Sequence, residues 1–307
     1  MIDGHTQLVG LIGWPVEHSL SPVMHNAAFD ALGLNWRYVP LPVSPVAPGE
    51  VEIAVYGLAA LGFRGANVTV PHKRAVLPVL DAMGVNAQAL GAVNTLVVER
   101  RAEGLPIIGG YNTDARGFVG ALLQGGFKPE EGGNAVVVGA GGGARAVVFG
   151  LLQSGSGEIT VLNRTLERAQ ALVSDLGGSA GLAPGHRRRG STRLRALPLT
   201  PETLIESSRA AHLLVNATTL GMWPHVDGSI WPSNVPVPAH LTVFDLVCNP
   251  LETRLLRQAR ESGAHPISGL GMLVRQGALA FEMWTGEGPV SEVAALMRAA
   301  CERALGR

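Results

Sequence analysis

A chain of 307 residues with 47% hydrophobic residues holds enough material for about two domains, each with a buried core. Charged residues make up 16% and the formal net charge is +0, which excludes a disordered chain and a dedicated nucleic-acid binder with its marked basic excess. The balanced charge makes small molecules the expected partners, and the two cysteines, Cys248 and Cys301, form neither a disulfide framework nor a metal-ligand spacing, so reduced thiols are the expectation. The start, MIDGHTQLVGLIG, lacks the basic, apolar and small-residue parts of a signal peptide, and no stretch supplies the roughly 18 consecutive apolar residues of a spanning helix. A cytoplasmic protein without membrane association follows.

Strand-like and helical patterns alternate from the first strand onward: Leu8–Ile12 strand, Pro22–Leu32 helix, Trp36–Leu41 strand, Val51–Leu61 helix, Ala66–Val70 strand, Ala75–Met83 helix and Asn94–Val98 strand. This rhythm predicts an α/β domain with a mainly parallel sheet. After the first strand comes GWPVEHSLSPVMHN, where Ser19 and Ser21 share one side of an extended segment and Ser21 before Pro22 reads as a helix N-cap. His18 and His25 lack the spacing of metal ligands and read as structural, so no metal is expected. In ANVTVPHK the alternation puts Val68 and Val70 on a core face and Asn67 and Thr69 on a polar one. Pro71 ends the strand and leaves Lys73 at its mouth. Asn94 stands at the next strand start, and Asp114 opens a helix whose dipole favours a first-turn acid. Uncharged polar groups thus recur at successive strands, where parallel sheets bind ligands, and the set suits a polyhydroxylated one.

A second rhythm begins near Ala135. VVVGAGGGARAV is a buried strand, a glycine turn and a helix: Gly139 and Gly141 allow the turn, and Gly142 and Gly143 let backbone approach a pyrophosphate at the helix N-terminus, ahead of Ala144. The next strand ends in LNRTLERA with no acid at its tip. Arg164 stands there instead, with Asn163 and Thr165 beside it and Arg168 following, a set fitted to a 2′-phosphate and hence to NADP rather than NAD. His212–Val215 and Leu241–Asp245 read as further buried strands, and the chain is helical from about Met272. HRRRGSTRLR (His186–Arg195) reads as a solvated loop of no assigned function.

The motifs GxPxxHSxSPxxHN, NVTxPxK, GAxNT, NTDxxG, GAGGxARA, NRT, NATxxGM (Asn216–Met222) and GxxMLxxQ (Gly269–Gln276) follow one another in the order found in shikimate dehydrogenases. The chain resembles that family from Leu8 to about Gly286. The resemblance implies reversible, NADPH-dependent reduction of 3-dehydroshikimate to shikimate, with two α/β domains and the active site in the cleft between them; a monomer or homodimer is the expectation. The substrate domain would be 1–113 plus about 270–307, and the Rossmann-type NADP domain 114–269. Lys73 and Asp114 would form the catalytic pair, the lysine charge stabilising the alkoxide and relaying its proton. Ser19 and Ser21 would hold the substrate carboxylate, Asn67 and Thr69 would orient the substrate, and Asn94, Asp114 and Gln276 would bind ring hydroxyls. Thr218, Met222 and Gly269 would join the glycines and Arg164 around the cofactor.

Where the family commonly has tyrosine in DxxYxPxxT, DLVCNPLET has Cys248, a smaller and weaker hydrogen-bonding group, and Ser268 replaces a common acid. The alternatives are a quinate or aminoshikimate dehydrogenase on the same framework, and more remotely a non-enzymatic NADP-binding regulator. A methylenetetrahydrofolate dehydrogenase would lack the serine pair and the Lys–Asp combination.

Overall fold

This computed structural model describes residues 2–179 and 192–306. They divide into two compact units, Met1–Thr113 with Val274–Arg307, and Asp114–Leu273. No helix among the described residues is long and apolar enough to cross a membrane.

The first unit runs β1 (Gln7–Gly13), α1 (Ser21–Ala31), β2 (Trp36–Pro42), α2 (Glu50–Ala60), β3 (Gly65–Val68), β4 (Ala82–Met83), α3 (Val85–Leu90), β5 (Thr95–Glu99) and β6 (Ile107–Tyr111). The strands form one sheet in the order β2-β1-β3-β5-β6-β4. β1 lies parallel to β2 and β3, and β4 to β6, whereas β5 is antiparallel to both its neighbours. The sheet is therefore mixed, because residues 100–106 are too short a connection for a parallel crossover between β5 and β6. The antiparallel turn puts the start of β5 on the same sheet edge as the end of β3, with Asn67 in register with Thr95.

Two local expectations fail in this unit. Ala75–Met83 is not a helix but a 3-10 turn, Leu77–Val79, followed by β4; Pro78 inside it lacks the N–H that a continued helix needs. Val68 is buried as its alternation demands, but β3 stops there and Val70 is 65% exposed.

The second unit runs α4 (Asp114–Gln124), β7 (Ala135–Val138), α5 (Gly142–Ser154), β8 (Glu158–Asn163), α6 (Leu166–Ser179), β9 (Arg193–Pro198), α7 (Pro201–Arg209), β10 (Leu213–Asn216), β11 (Thr242–Asp245), α8 (Arg254–Glu261) and β12 (His265–Ser268). Its sheet order is β12-β11-β10-β7-β8-β9 with every pairing parallel. Such a sheet is covered on both faces, which is why AVVV and LLVN are buried at every residue instead of alternating. The strand order reverses between β7 and β10, the place where doubly wound sheets open a crevice for ligands.

Of the basic segment, His186–Ser191 lies outside the described residues. Arg193 and Arg195 stand in edge strand β9 rather than in a loop, two apart on one face, and both reach Glu158 on β8, Arg195 at 3.1 Å.

The chain ends in α9 (Leu270–Thr285) and α10 (Val290–Ala304). Phe281 of α9 stacks on Phe29 of α1 with ring centroids 4.9 Å apart, and the Trp284 indole donates to the Leu96 carbonyl at 2.9 Å. Both aromatic rings of the first pair are fully buried. Phe281→Ala is expected to lower stability by about 3–5 kcal/mol through lost burial and the cavity left behind. Denaturant titration checks this; a loss under about 1 kcal/mol would mean that the site relaxes around the gap.

Candidate active site

The first unit gathers its polar side chains at one edge of the sheet. β1 ends at Gly13, and the Ile12 carbonyl accepts from the Thr69 N–H at 2.8 Å while the Trp14 N–H donates to the Val70 carbonyl at 3.0 Å. These bonds hold the half-buried Thr69 against the segment that carries the serines. Ser19, half-buried, accepts from the Ser21 N–H at 3.2 Å, so Ser19 takes up a donor at the helix entry. Ser21 is accordingly not the N-cap but the first residue of α1, after Leu20.

Behind the serines lies a chain of buried amides and hydroxyls. Asn26 of α1 grips the Tyr38 backbone in both directions, accepting from its N–H and donating to its carbonyl at 2.9 Å each. The Tyr38 hydroxyl donates to Asn67 Oδ1 at 2.9 Å. Asn67 Nδ2 donates to the Asn94 carbonyl at 3.1 Å and to Thr95 Oγ1 at 3.3 Å. Asn94 Oδ1 accepts from the Thr113 N–H at 2.9 Å and from Thr95 Oγ1 at 3.0 Å; its Nδ2 donates to Thr113 Oγ1 at 2.9 Å and to Gln276 Oε1 at 3.3 Å. Asn67, Asn94, Thr95, Thr113 and Gln276 are all buried. The structure thus brings Asn67, Asn94 and Gln276 together in one network.

Lys73 lies on the turn after β3, half-buried, and its carbonyl accepts from the Val93 N–H at 2.8 Å, which anchors it beside the residue that precedes Asn94. Asp114 opens α4 and is buried; the residue before it, Thr113, is the one pinned by Asn94. Among the described residues no group of three or more His, Cys, Asp or Glu side chains is placed to hold a metal ion.

In the second unit, β7 runs into Gly139 at φ +115°, a conformation that favours glycine, and a Cβ there would meet the Ala217 carbonyl at 2.9 Å. The glycine turn therefore touches the loop after β10, which carries Thr218, at the reversal point of the sheet. Gly141 precedes the first turn of α5, Gly142 and Gly143 lie in it, and Ala144 is buried behind them. At the tip of β8, Asn163 Nδ2 donates to the Thr165 carbonyl at 2.8 Å. Arg164, Thr165 and Arg168 are exposed, and neither arginine forms an ion pair among the described residues. Gly269 is buried hard against the Asp245 and Leu246 carbonyls, so close packing already accounts for it. Met222 is exposed. These residues fit a dinucleotide: a close-approach turn at a helix N-terminus, and two exposed cations at and just after the next strand tip.

Three family models match successive parts of the chain: a shikimate dehydrogenase substrate binding domain over residues 11–96, a shikimate / quinate 5-dehydrogenase over 122–184, and a shikimate 5′-dehydrogenase C-terminal domain over 269–301. A shikimate dehydrogenase (NADP(+)) from Moorella thermoacetica is 47% identical over 300 residues, covering 97% of this chain and 95% of that protein. The chain belongs to the shikimate dehydrogenase family. Within it, the solved shikimate 5-dehydrogenase of Thermus thermophilus, in complex with NADP(H) and shikimate, superposes with TM-score 0.80 at 39% identity, covering 98% of this chain and 100% of that one. Quinate dehydrogenase from Corynebacterium glutamicum, in complex with NAD, is similar with TM-score 0.80 at 31% identity, covering 96% and 99%.

Sequence reasoning missed two hubs of this shikimate dehydrogenase family member. One is Tyr38, the buried residue of edge strand β2, whose hydroxyl needs a partner. The other is Asp245, fully buried, which accepts from Asn216 Nδ2 at 2.9 Å, the Val247 N–H at 3.1 Å and Thr253 Oγ1 at 2.6 Å. Asn216 in turn accepts from the Thr218 N–H and hydroxyl at 3.1 and 2.7 Å, so Asp245 fixes the loop that lies against Gly139. Burial raises the Asp245 pKa to about 6, against the pull of those three donors. Burial likewise pushes the Cys248 thiol up to about 11, with the charge of Asp245 adding to it, so the group is a protonated thiol at neutral pH.

The sign of the Asp245 effect follows from linkage. A carboxyl whose folded pKa lies above its unfolded 3.8 contributes stability below about pH 4 that is lost as pH rises through 6, by about 3 kcal/mol in all. Asp245→Asn is expected to flatten stability between pH 4 and 6 relative to the parent. Equal slopes in denaturant titrations across that range would remove the assignment.

Proposed function

We propose that this chain catalyses the reversible NADPH-dependent reduction of 3-dehydroshikimate to shikimate, a step toward aromatic amino acids. The observation that carries the reading is the satisfied network of neutral amides and hydroxyls beside Lys73, a lining that suits a small polyhydroxylated acid. The relatives that bind shikimate and NADP(H) support it.

In this reading Ser19 and Ser21 hold the substrate carboxylate by donating hydroxyl hydrogens, with the N-terminus of α1 adding its partial positive charge. Thr69 orients the ring and Asp114 and Gln276 fix its hydroxyls, while Asn94, whose amide is saturated within the protein, holds Gln276 in place for them. Asn67 has both its N–H groups committed within the protein, so it contributes at most one acceptor to a ligand and chiefly braces its neighbours. Lys73 and Asp114 are the catalytic pair. The Lys73 ammonium meets the oxygen at the reacting carbon, stabilises the alkoxide as it develops and passes a proton to it in the reductive direction. NADP(H), when bound, supplies or accepts the hydride. Gly139, Gly141, Gly142, Gly143 and Ala144 give it a close backbone approach, Thr218 and Met222 border it, and Asn163 and Thr165 shape the strand tip where Arg164 and Arg168 take the 2′-phosphate. Gly269 acts by holding the end of β11 in place.

Initial rates of nicotinamide reduction, with shikimate or quinate and with NADP⁺ or NAD⁺, test the reading. Shikimate with NADP⁺ is the expected best pair. Quinate as the better substrate would favour the second reading, a quinate dehydrogenase, in which Cys248 opens space that a tyrosine would fill. Lys73→Ala is expected to lower kcat by at least about 100-fold while shikimate still binds within a few-fold, measured by calorimetry. Near-normal turnover would sink the catalytic assignment. Arg164→Ala is expected to raise the KM for NADP⁺ by about tenfold or more and to leave that for NAD⁺ nearly unchanged, since a charge-assisted contact is at stake.

A further inference from the structure

We propose that Asp245 is a positioning residue for the nicotinamide half of NADP(H), acting through one of its carboxylate oxygens and not through the other. This rests on the reading that Arg164 and the glycine turn after β7 hold the rest of the cofactor.

The strand order fixes which half is concerned. β10, β7 and β8 are neighbours in that order, so a dinucleotide with its 2′-phosphate at the tip of β8 and its pyrophosphate at the turn after β7 continues over the end of β10. There the chain enters the loop of Thr218. Asp245 is fully buried and touches no ligand itself, so it can act on the cofactor only through that loop.

Val138, Asn216 and Asp245 stand side by side as the last residues of β7, β10 and β11. Asp245 Oδ1 accepts from Asn216 Nδ2 at 2.9 Å and from the Val247 N–H at 3.1 Å. Asn216 Nδ2 also donates to the Leu220 carbonyl at 3.2 Å. A carbonyl can only accept, so the Asn216 amide cannot turn over, and its Oδ1 must face Thr218. That oxygen accepts from the Thr218 N–H at 3.1 Å and from its hydroxyl at 2.7 Å, while the Leu220 N–H donates to Thr218 Oγ1 at 3.2 Å. The methyl group of Thr218 lies 3.2 Å from where a Cβ on Gly139 would stand. Thr218 is thus pinned at both ends against the glycine turn. A loop ordered in advance loses less freedom when a ligand arrives, and affinity rises accordingly.

The second oxygen has a different task. Asp245 Oδ2 accepts from Thr253 Oγ1 at 2.6 Å, and Thr253 caps α8 by accepting from the Leu256 N–H at 3.3 Å. This branch serves the segment of Cys248 and the start of α8. The two branches can therefore be cut separately.

Calorimetric Kd values for NADP⁺ and for 2′,5′-ADP, which lacks the nicotinamide half, test the proposal. Asp245→Leu is expected to weaken NADP⁺ about tenfold and to leave 2′,5′-ADP within about twofold, a split that a general loss of structure would not produce. Asp245→Asn keeps an oxygen toward the Asn216 amide and should hold NADP⁺ within about threefold of the wild type. Thr253→Val keeps the shape, removes the donor to Oδ2 and should leave the NADP⁺ Kd within about twofold although stability falls. Equal weakening of both ligands in Asp245→Leu, or a loss of NADP⁺ affinity of about tenfold in Asp245→Asn or Thr253→Val, would overturn the proposal. Should Asp245→Leu fail to fold, NMR on the wild-type protein decides. Separate, slowly exchanging Asn216 side-chain amide signals are expected in the free protein, shifted by NADP⁺ and not by 2′,5′-ADP. Averaged signals, or an equal response to both ligands, would refute it. A wild-type protein that does not bind 2′,5′-ADP would instead remove the cofactor placement on which the proposal stands.

Discussion

Burying an asparagine amide obliges the fold to supply hydrogen-bond partners in fixed directions, and each one missing costs about 1–3 kcal/mol. Asn94 receives its four from Thr95, the Thr113 backbone and hydroxyl, and Gln276, which draws β5, the end of β6 and helix α9 to one point. Asn67 extends the same network to β2 through Tyr38. Much of the first unit follows from this. β5 has to run antiparallel so that its first residues meet the last residues of β3, and the last stretch of the chain has to come back so that Gln276 meets Asn94. Lys73 is tied one residue from the network and Asp114 directly follows it, so the groups proposed for catalysis are placed by polar contacts that do no chemistry themselves.

The second unit solves a similar problem with a charge. Asp245 sits fully buried at the end of a parallel strand, pairs with no cation among the described residues, and has three donors that offset only part of its desolvation. What the fold gains is a fixed loop: Asp245 orients Asn216, Asn216 holds both polar groups of Thr218, and that loop meets Gly139 where the sheet order reverses. A neutral residue of the same shape would relieve the buried charge.

The strands of the second unit were legible because they are buried on both faces and read as apolar runs, and the glycine turn because strand and helix flank it. Most of the first unit's strands and helices were legible too. What was not legible depends on pairings that one chain of letters does not carry. The alternation in Ala66–Val70 placed Asn67 on the polar face, yet nothing in it told that both its N–H groups would be used internally. The apolar content of Ala75–Met83 suggests a helix, but Pro78 in its middle removes the N–H that a continued helix needs. Arg193 and Arg195 looked like loop residues since an edge strand, with one side in water, tolerates charge that a central strand does not. Tyr38 lies in no quoted motif, and Asp245 opens the quoted DLVCNPLET without the letters showing that it would bond the Thr253 that closes it; what matters in both is burial and the partner, 29 and 8 residues away, which the fold reveals.

The central claim is that the amide network is built before any ligand arrives. Hydrogen exchange of the Asn67 and Asn94 side-chain amides, followed by NMR in free protein and with saturating shikimate, tests it most directly. The account expects slow exchange and separated amide proton signals in the free protein, changed little by the ligand. Fast exchange in the free protein that becomes slow only with shikimate bound would contradict it, and would make the network a product of binding rather than its scaffold.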